Sequence, residues 1–339
     1  MSPSSPRYRT GVVIGKFYPP HRGHSYLIDV AGAGVEQLTV IVCAAADQSI
    51  PGALRAAWLQ ELHPDARIML VEDVYPPDDS ALWARLTVGW LGGAPDVVYT
   101  SEDYGERYAR LMGSAHVLVD RARVQAPCSG TQVRADPLLW WEYLAPPVRA
   151  YYCKRVCVLG AESSGTTTLA RALAEHYQTT WAPEYGREYS VARFHRLGAA
   201  DWDTAEFVHI AREQQRREDA LAGQADRLLI MDTDAFATAV WHERYTGRRS
   251  SAVQAISQAH QPHLTIVTDW TIPFVQDGTR DGEHLRGWMH RRFISALGEA
   301  GRPYIVVAGS HDARMAAAIK AIDHLILSPC DDIRRCAAG

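Results

Sequence analysis

Residues 15–24, Gly-Lys-Phe-Tyr-Pro-Pro-His-Arg-Gly-His, gather two imidazoles, a lysine and an arginine in one short stretch. They follow a β-branched run at 10–14 that reads as a buried strand, and precede residues 25–31, whose apolar spacing is helical. Such a corner offers unpaired N–H groups and the positive end of a helix dipole, which together stabilise a phosphate. Pro19 and Pro20 cannot continue a strand ladder, while Gly15 and Gly23 let backbone approach a ligand closely. His21 and His24, three apart, can face one ligand with Lys16 and Arg22 beside them. The chemistry suggested is phosphoryl transfer. The alternative, half of a zinc site, lacks an evident third and fourth ligand nearby.

Two further stretches carry the same signal. Residues 128–134, Cys-Ser-Gly-Thr-Gln-Val-Arg, open a second helix after a strand-like run at 116–120; Ser129 or Thr131 alone would be explained as a helix cap. Residues 155–160 form a strand that leads into Gly160, Ala161, Glu162, Ser163, Ser164, Gly165, Thr166, Thr167 and Thr168. This is the frame of a phosphate-binding loop, Gly-x-x-x-x-Gly-Lys-Ser/Thr, with Thr166 where the lysine belongs. That lysine normally follows the transferring phosphate, so its loss weakens the motif, although the backbone nest from Gly160 to Gly165 stays available. Lys154 lies at the far end of the strand, roughly 20 Å away at ~3.3 Å per residue, so a replacement cation is expected to be an arginine. Arg280 and Arg286, in a glycine-rich polar segment at 276–286, are the candidates; the blander reading is a solvated loop.

Glu184, after a short strand, is placed to accept a proton from an alcohol, with Arg187 and Glu188 in the same turn. Asp232 ends a buried run at 228–232 and suits Mg²⁺ together with the Thr167 hydroxyl, while Asp234 could hold a ribose hydroxyl. In the first half, a run at 96–102 puts Thr100, Ser101 and Glu102 at the ligand edge of a sheet. Trp83, near the start of a helix at 80–90, could stack on a flat ring, with a place in the core as the plainer role. The charged run at 212–219 reads as a solvated helix face.

These corners need strands alternating with helices, and both halves show that order. The fold class is therefore α/β, with two doubly wound parallel-sheet domains whose ligands collect at the carboxyl ends of the strands. A boundary is expected near residue 150, dividing 10–150 from 151–328, with Pro146 and Pro147 stopping any helix there. At 339 residues and 47% hydrophobic content the chain suits two soluble domains, and a net charge of −4 provides no general basic field for nucleic acid. Six scattered cysteines without a Cys-x-x-Cys pair point to reduced thiols in a cytoplasmic protein. No run approaches the ~18 apolar residues of a membrane-spanning helix, so no membrane partner is expected.

The first stretch resembles the nucleotidyltransferase signature Gly-x-Phe-x-Pro-x-His-x-Gly-His, and residues 128–134 resemble its second motif, Ile-Ser-x-Thr-x-x-Arg, with Cys128 in place of isoleucine. Taken with Tyr99 to Glu102, Gly160 to Gly165, Glu184 to Arg187 and Asp232 to Asp234, the whole chain resembles the bifunctional NadR-type proteins of bacterial NAD metabolism. The resemblance implies a nicotinamide-mononucleotide adenylyltransferase domain, N-terminal and Rossmann-like, ahead of a P-loop ribosylnicotinamide kinase domain. It implies ATP, nicotinamide mononucleotide, nicotinamide riboside and NAD as ligands, and Mg²⁺ as the cofactor. ATP would lie on Gly15, Phe17, Gly23, Ser129, Gly130 and Thr131, with His21, His24, Lys16 and Arg134 supplying positive charge to the reaction. The pyridine nucleotide would lie on Trp83, Tyr99, Thr100, Ser101 and Glu102, and the riboside on Glu184, Arg187, Asp232 and Asp234. Some members begin with a DNA-binding helix-turn-helix; only a short segment precedes the first strand here, so no DNA partner is expected. Homo-oligomerisation stays open. So do two alternatives: a second domain that only senses nucleotide, because Thr166 replaces the lysine, and an adenylyltransferase acting on another phosphate.

Overall fold

The computed structural model describes residues 7–197, 201–276 and 282–327. The chain divides into two compact units, Met1–Val148 and Arg149–Gly339. In the first, strand and helix alternate as β1 (Tyr8–Gly15), α1 (Arg22–Gly34), β2 (Val35–Ala44), α2 (Gly52–Leu62), β3 (Arg67–Glu72), α3 (Ser80–Leu91), β4 (Val97–Thr100), α4 (Gly105–Met112), β5 (Ala115–Leu118) and α5 (Gly130–Ala135). The five strands are parallel in the order β3-β2-β1-β4-β5. The chain winds outward from β1 to β3 and then returns to β4 on the other side of β1. The reversal opens a crevice at the carboxyl ends of β1 and β4.

Helices cover both faces of this sheet, and the two-residue period of a strand sorts its side chains between them. Val13, Val40, Val42, Val97 and Tyr99 pack with Leu27, Ile28 and Ala31 of α1. Val12, Ile41, Cys43 and Val98 point the other way, onto Ala84 of α3 and Tyr108 and Met112 of α4.

Helix α6 (Pro146–Tyr152) begins before the division and ends after it. The paired prolines therefore start a helix where they were expected to stop one. Proline at the first helical position has no N–H to lose there and a backbone angle already suited to the helix.

The second unit continues with β6 (Lys154–Gly160), α7 (Thr166–His176), β7 (Trp181–Ala182), α8 (Tyr185–Leu197), α9 (Thr204–Ala222), β8 (Leu228–Asp232), α10 (Ala235–Thr246), α11 (Ser251–Ala259), β9 (Leu264–Thr268), α12 (Arg286–Glu299), β10 (Tyr304–Val307) and α13 (His311–Leu327). Its sheet is again parallel, ordered β10-β9-β6-β8-β7, which sets the end of β6 beside those of β8 and β9. Val156, Val158, Ile230 and Ile266 of the strands pack with Leu169 and Leu173 of α7 and Ile322 of α13. No helix among the described residues is long and apolar enough to cross a membrane.

Leu173 is wholly buried in that core, whereas Leu139 of the first unit is 71% exposed. Leu173→Ala is expected to lower stability by about 2–5 kcal/mol through lost transfer energy and a cavity. Leu139→Ala should stay within about 0.5 kcal/mol. Urea denaturation of both variants checks the pair.

Candidate functional site

In the first unit a cavity of about 690 Å³ sits at the β1 and β4 corner. Its lining brings together Lys16, Phe17, His21, Gly23, His24, Ser101, Glu102, Ser129, Gly130, Thr131 and Arg134. Helix α1 starts at Arg22, three residues earlier than its apolar spacing suggests, because His21 is its cap. The His21 Nδ1 accepts from the Gly23 N–H at 3.2 Å, and the His24 Nδ1 accepts from the His21 N–H at 3.3 Å. Each ring then carries its proton on Nε2. The rings stack at 3.8 Å between centroids.

The two histidines were expected to supply positive charge. Burial, then the Arg123 charge, lowers His21 to about 4. Burial, the His21 ring and Arg123 likewise hold His24 well below the usual imidazole range. At neutral pH both are therefore uncharged N–H donors, and the cations lining the cavity are Lys16, Arg123 and Arg134. Lys16 pairs with Asp73 at 3.1 Å. Arg134 donates to the Tyr18 carbonyl and lies 4.5 Å over the Tyr18 ring. Gly130 is required to be glycine, since a Cβ would come within 2.8 Å of the same Tyr18 carbonyl.

Four expected binders do not line this cavity. Tyr99 falls on the core-facing side of β4, under α1, by the two-residue period of the strand. Thr100 is buried, with its hydroxyl 2.9 Å from His116 Nε2. Gly15 is the last residue of β1. Trp83 donates its Nε1–H to the Pro76 carbonyl at 2.9 Å and meets Tyr75 edge-on, and it is Tyr75 that lines the cavity. Arg123 escaped sequence reasoning altogether. It reaches the cavity from a loop residue with φ of 53° and donates to the Glu102 carboxylate at 3.1 Å. Buried Arg55, which donates to the carbonyls of Lys16 and Cys43 and to Gln48, was missed as well; it holds the corner from behind.

The second unit has a cavity of about 560 Å³ at the ends of β6 and β8, lined by Gly160, Glu162, Ser163, Thr166, Glu184, Arg187 and Asp232 among others. Ser163 and Gly165 take left-handed backbone angles, φ 57° and 82°, which curl the loop into a nest of N–H groups. Gly160 packs so tightly that a Cβ would overlap the Ser164 and Thr268 hydroxyls. Ser164 is spent on those internal bonds, 2.7 Å to the Ala161 carbonyl and 2.6 Å to Thr268. Thr167 donates to Asp232 at 2.6 Å. Burial raises Asp232, while Thr167, Thr166 and the Arg187 charge pull it back. Thr168 is exposed on the first turn of α7 and outside the lining.

The side chains of Glu162 and Ser163 serve the scaffold. Glu162 pairs with Arg244 at 2.6 Å and accepts from the Gly282 N–H at 2.8 Å; Ser163 accepts from the Val275 N–H at 2.8 Å. Arg286, a proposed replacement for the lysine, instead donates to the Ser163 and Ile272 carbonyls at 3.3 and 2.8 Å. Arg280 lies outside the described residues. Asp234 is not in the lining: it caps α10 through the Ala237 N–H and pairs with buried Arg302 at 2.9 Å.

The run at 212–219 is only partly a solvated face, since Gln214 and Glu218 are buried. Phe207, Ile210, Ala211, Gln214, Glu218 and Ala222 recur every three or four residues, so the apolar stripe of α9 continues through two polar positions. That spacing was the available signal. Gln214 lines the cavity, accepts from the Tyr185 N–H at 2.8 Å and donates to Glu218 at 2.9 Å. Burial, with the Asp234 charge adding to it, pushes Glu218 up to about 8. Aromatic residues also missed in the sequence, Trp202, Phe207, Trp241 and Tyr245, form one wall, with Trp202 5.1 Å from Phe207 and 5.3 Å from Tyr245.

Glu218 generates a prediction with a definite sign. The unfolded chain releases this proton near the ordinary carboxylate value and the folded chain only near 8, so the group costs stability progressively as pH rises between them. Glu218→Gln, neutral at every pH, should stabilise the protein above pH 7 by on the order of a few kcal/mol and make no difference near pH 4. Thermal unfolding of both proteins across that range checks it.

Residues 155–314 match the AAA domain family. The trifunctional NAD biosynthesis/regulator protein NadR of Escherichia coli (strain K12) is 31% identical over 296 residues, covering 80% of this chain and 71% of that protein. The protein of the same name from Salmonella typhimurium is 31% identical over 294 residues, with the same shares. Among solved structures, a NadR protein in complex with NR superposes with a TM-score of 0.75 at 20% identity, over 94% of this chain and 96% of that one. A NadR protein in complex with NAD and AMP-PNP gives 0.73 at 19% identity, over 96% and 98%. The structures share the fold of two five-stranded parallel sheets, and the sequence identity over those lengths shows more: this chain belongs to the NadR family.

Proposed function

We propose that the first unit transfers the adenylyl group of ATP to nicotinamide mononucleotide, giving NAD and pyrophosphate, and that the second phosphorylates nicotinamide riboside to the mononucleotide. The observation that carries this reading is the convergence of Lys16, His21, His24, residues 129–131 and Arg134 on one cavity at the reversal point of the first sheet. The choice of substrates is supported by the family, whose curated members are NAD biosynthesis proteins and whose solved members include complexes with NR and with NAD and AMP-PNP.

In adenylyl transfer a phosphate oxygen of the mononucleotide attacks the α-phosphorus of ATP, and the bond to the leaving pyrophosphate breaks. The nucleophile is already ionised at neutral pH, so no general base is required. Alignment and stabilisation of developing negative charge remain to be supplied. The Nε2–H groups of His21 and His24 are pre-set donors for this, because backbone N–H groups occupy their Nδ1 atoms. As neutral donors they need not shed a charge when the site is empty. An incoming phosphate raises their proton affinity and competes with Asp73 for Lys16.

In the second unit the loop nest holds the triphosphate, Glu184 takes the proton from the riboside hydroxyl, and the aromatic wall receives the flat pyridine ring. Asp232 and the Thr167 hydroxyl are hard oxygen ligands, as Mg²⁺ prefers, and when bound the ion neutralises charge on the phosphates. Thr166 favours a second reading, in which this unit binds nucleotide without turning over riboside.

The purified chain, given ATP, Mg²⁺ and either riboside or mononucleotide, should form NAD from both, followed by chromatography. NAD from the mononucleotide alone would select the second reading. No NAD from either would reject the substrates, and a panel of other phosphates would then identify the acceptor. His24→Ala should lower kcat for adenylyl transfer about 10²–10³-fold, with a smaller change in KM for ATP, as expected for the loss of one pre-set donor to the transition state.

A further inference from the structure

Phosphoryl transfer at a P-loop needs positive charge on the oxygens of the moving phosphate, and Thr166 cannot supply it. The lysines of the second unit stand elsewhere, Lys154 at the start of β6 and Lys320 on α13. Among the described residues, Arg244, Arg286 and Arg314 are engaged with the loop itself: Arg244 with the Glu162 carboxylate, Arg286 with the Ser163 carbonyl and Arg314 with the Ser164 carbonyl at 2.8 Å. They hold its shape, and none of the three lines the cavity.

Arg187 is placed differently. It lies on the first turn of α8 and lines the cavity with Gly160, Glu162, Thr166 and Asp232, and its charge is felt at Asp232. Its side chain is 48% exposed and lies 3.8 Å from the Glu184 carboxylate. Thr166 lines the same cavity and acts on the same carboxylate, Asp232.

We propose that Arg187, reaching across from α8, is the phosphate-binding cation that replaces the missing loop lysine. The inference rests on the phosphoryl-transfer reading of this cavity. In the step it serves, the bond from the γ-phosphorus to the β–γ bridging oxygen breaks, and a bond to the acceptor hydroxyl oxygen forms. The hydroxyl proton passes to the Glu184 carboxylate, and ADP leaves. Arg187 forms no covalent bond and donates to the γ-phosphate oxygens as the transfer proceeds.

Restoring the lysine tests this in the full chain. Arg187→Ala should cut kcat for riboside phosphorylation about 10²–10³-fold, and adding Thr166→Lys to it should recover at least about tenfold. Adenylyl transfer from the mononucleotide should be unchanged in every variant, which verifies the fold. Retention of near-normal phosphorylation by Arg187→Ala would overturn the proposal. So would a double variant no better than the single one while Thr166→Lys alone is active. If the unaltered chain phosphorylates no riboside, the functional reading fails separately. The charge assignment is then decided by equilibrium binding of a non-hydrolysable ATP analogue, which Arg187→Ala should weaken at least about tenfold at one site and Thr166→Lys restore.

Discussion

A parallel strand that runs directly into a helix leaves the first N–H groups of that helix without partners, and both units place such a corner at the middle of a sheet. The sheet orders β3-β2-β1-β4-β5 and β10-β9-β6-β8-β7 each put the first strand of the unit in the centre. The corner after that strand therefore opens where the winding reverses, away from helices that would otherwise cover it. Everything else about the two cavities follows from furnishing this one kind of corner. The first uses a histidine side chain to close the helix start, and the second uses left-handed residues at 163 and 165 to curl the backbone around the ligand.

The two corners handle charge in opposite ways. In the first, burial strips the histidines of their protons, and nearby Arg123 reinforces this, so an anion meets neutral donors backed by cations. A permanently charged imidazole pair in that position would repel itself whenever the site was empty. In the second, guanidinium groups of Arg286 and Arg314 are spent on carbonyls of the phosphate loop. A nest whose N–H groups converge must send its carbonyls outward, and buried carbonyls require donors of their own. Arginine, with several donors in a rigid fork, meets that need from outside the loop.

Legibility in the sequence tracks how local each cause is. The strands of both sheets, the corner at Gly15 to His24 and the loop at Gly160 to Gly165 were readable because neighbouring residues determine them. Tyr99 and Thr100 do not line the cavity although Ser101 and Glu102, directly after them, do: a motif string carries no record of which side of a strand each letter faces, whereas the packing of Val97 and Tyr99 on α1 does. Asp234 looked like a ligand because it follows a buried strand, but it is claimed by α10 and by Arg302, sixty-eight positions away. Arg123, likewise, reaches its place through a loop conformation that no periodicity announces. Gln214 and Glu218 were the recoverable misses, since the helical period of α9 passes through both.

The same distinction explains why one substitution in the phosphate loop need not dismantle it. The loop's shape depends on Gly160, on the left-handed residues and on donors from α10, α12 and α13, and those donors bond Glu162, Ser163 and Ser164 rather than the side chain at position 166. The lysine of such a loop contributes charge, and charge, unlike a backbone angle, can be delivered from any element whose side chain reaches the same point. Thr166 acts on the acid already held by Thr167, and both draw its carboxyl down. A site built this way separates the group that shapes the nest from the group that charges it, so the two can change independently.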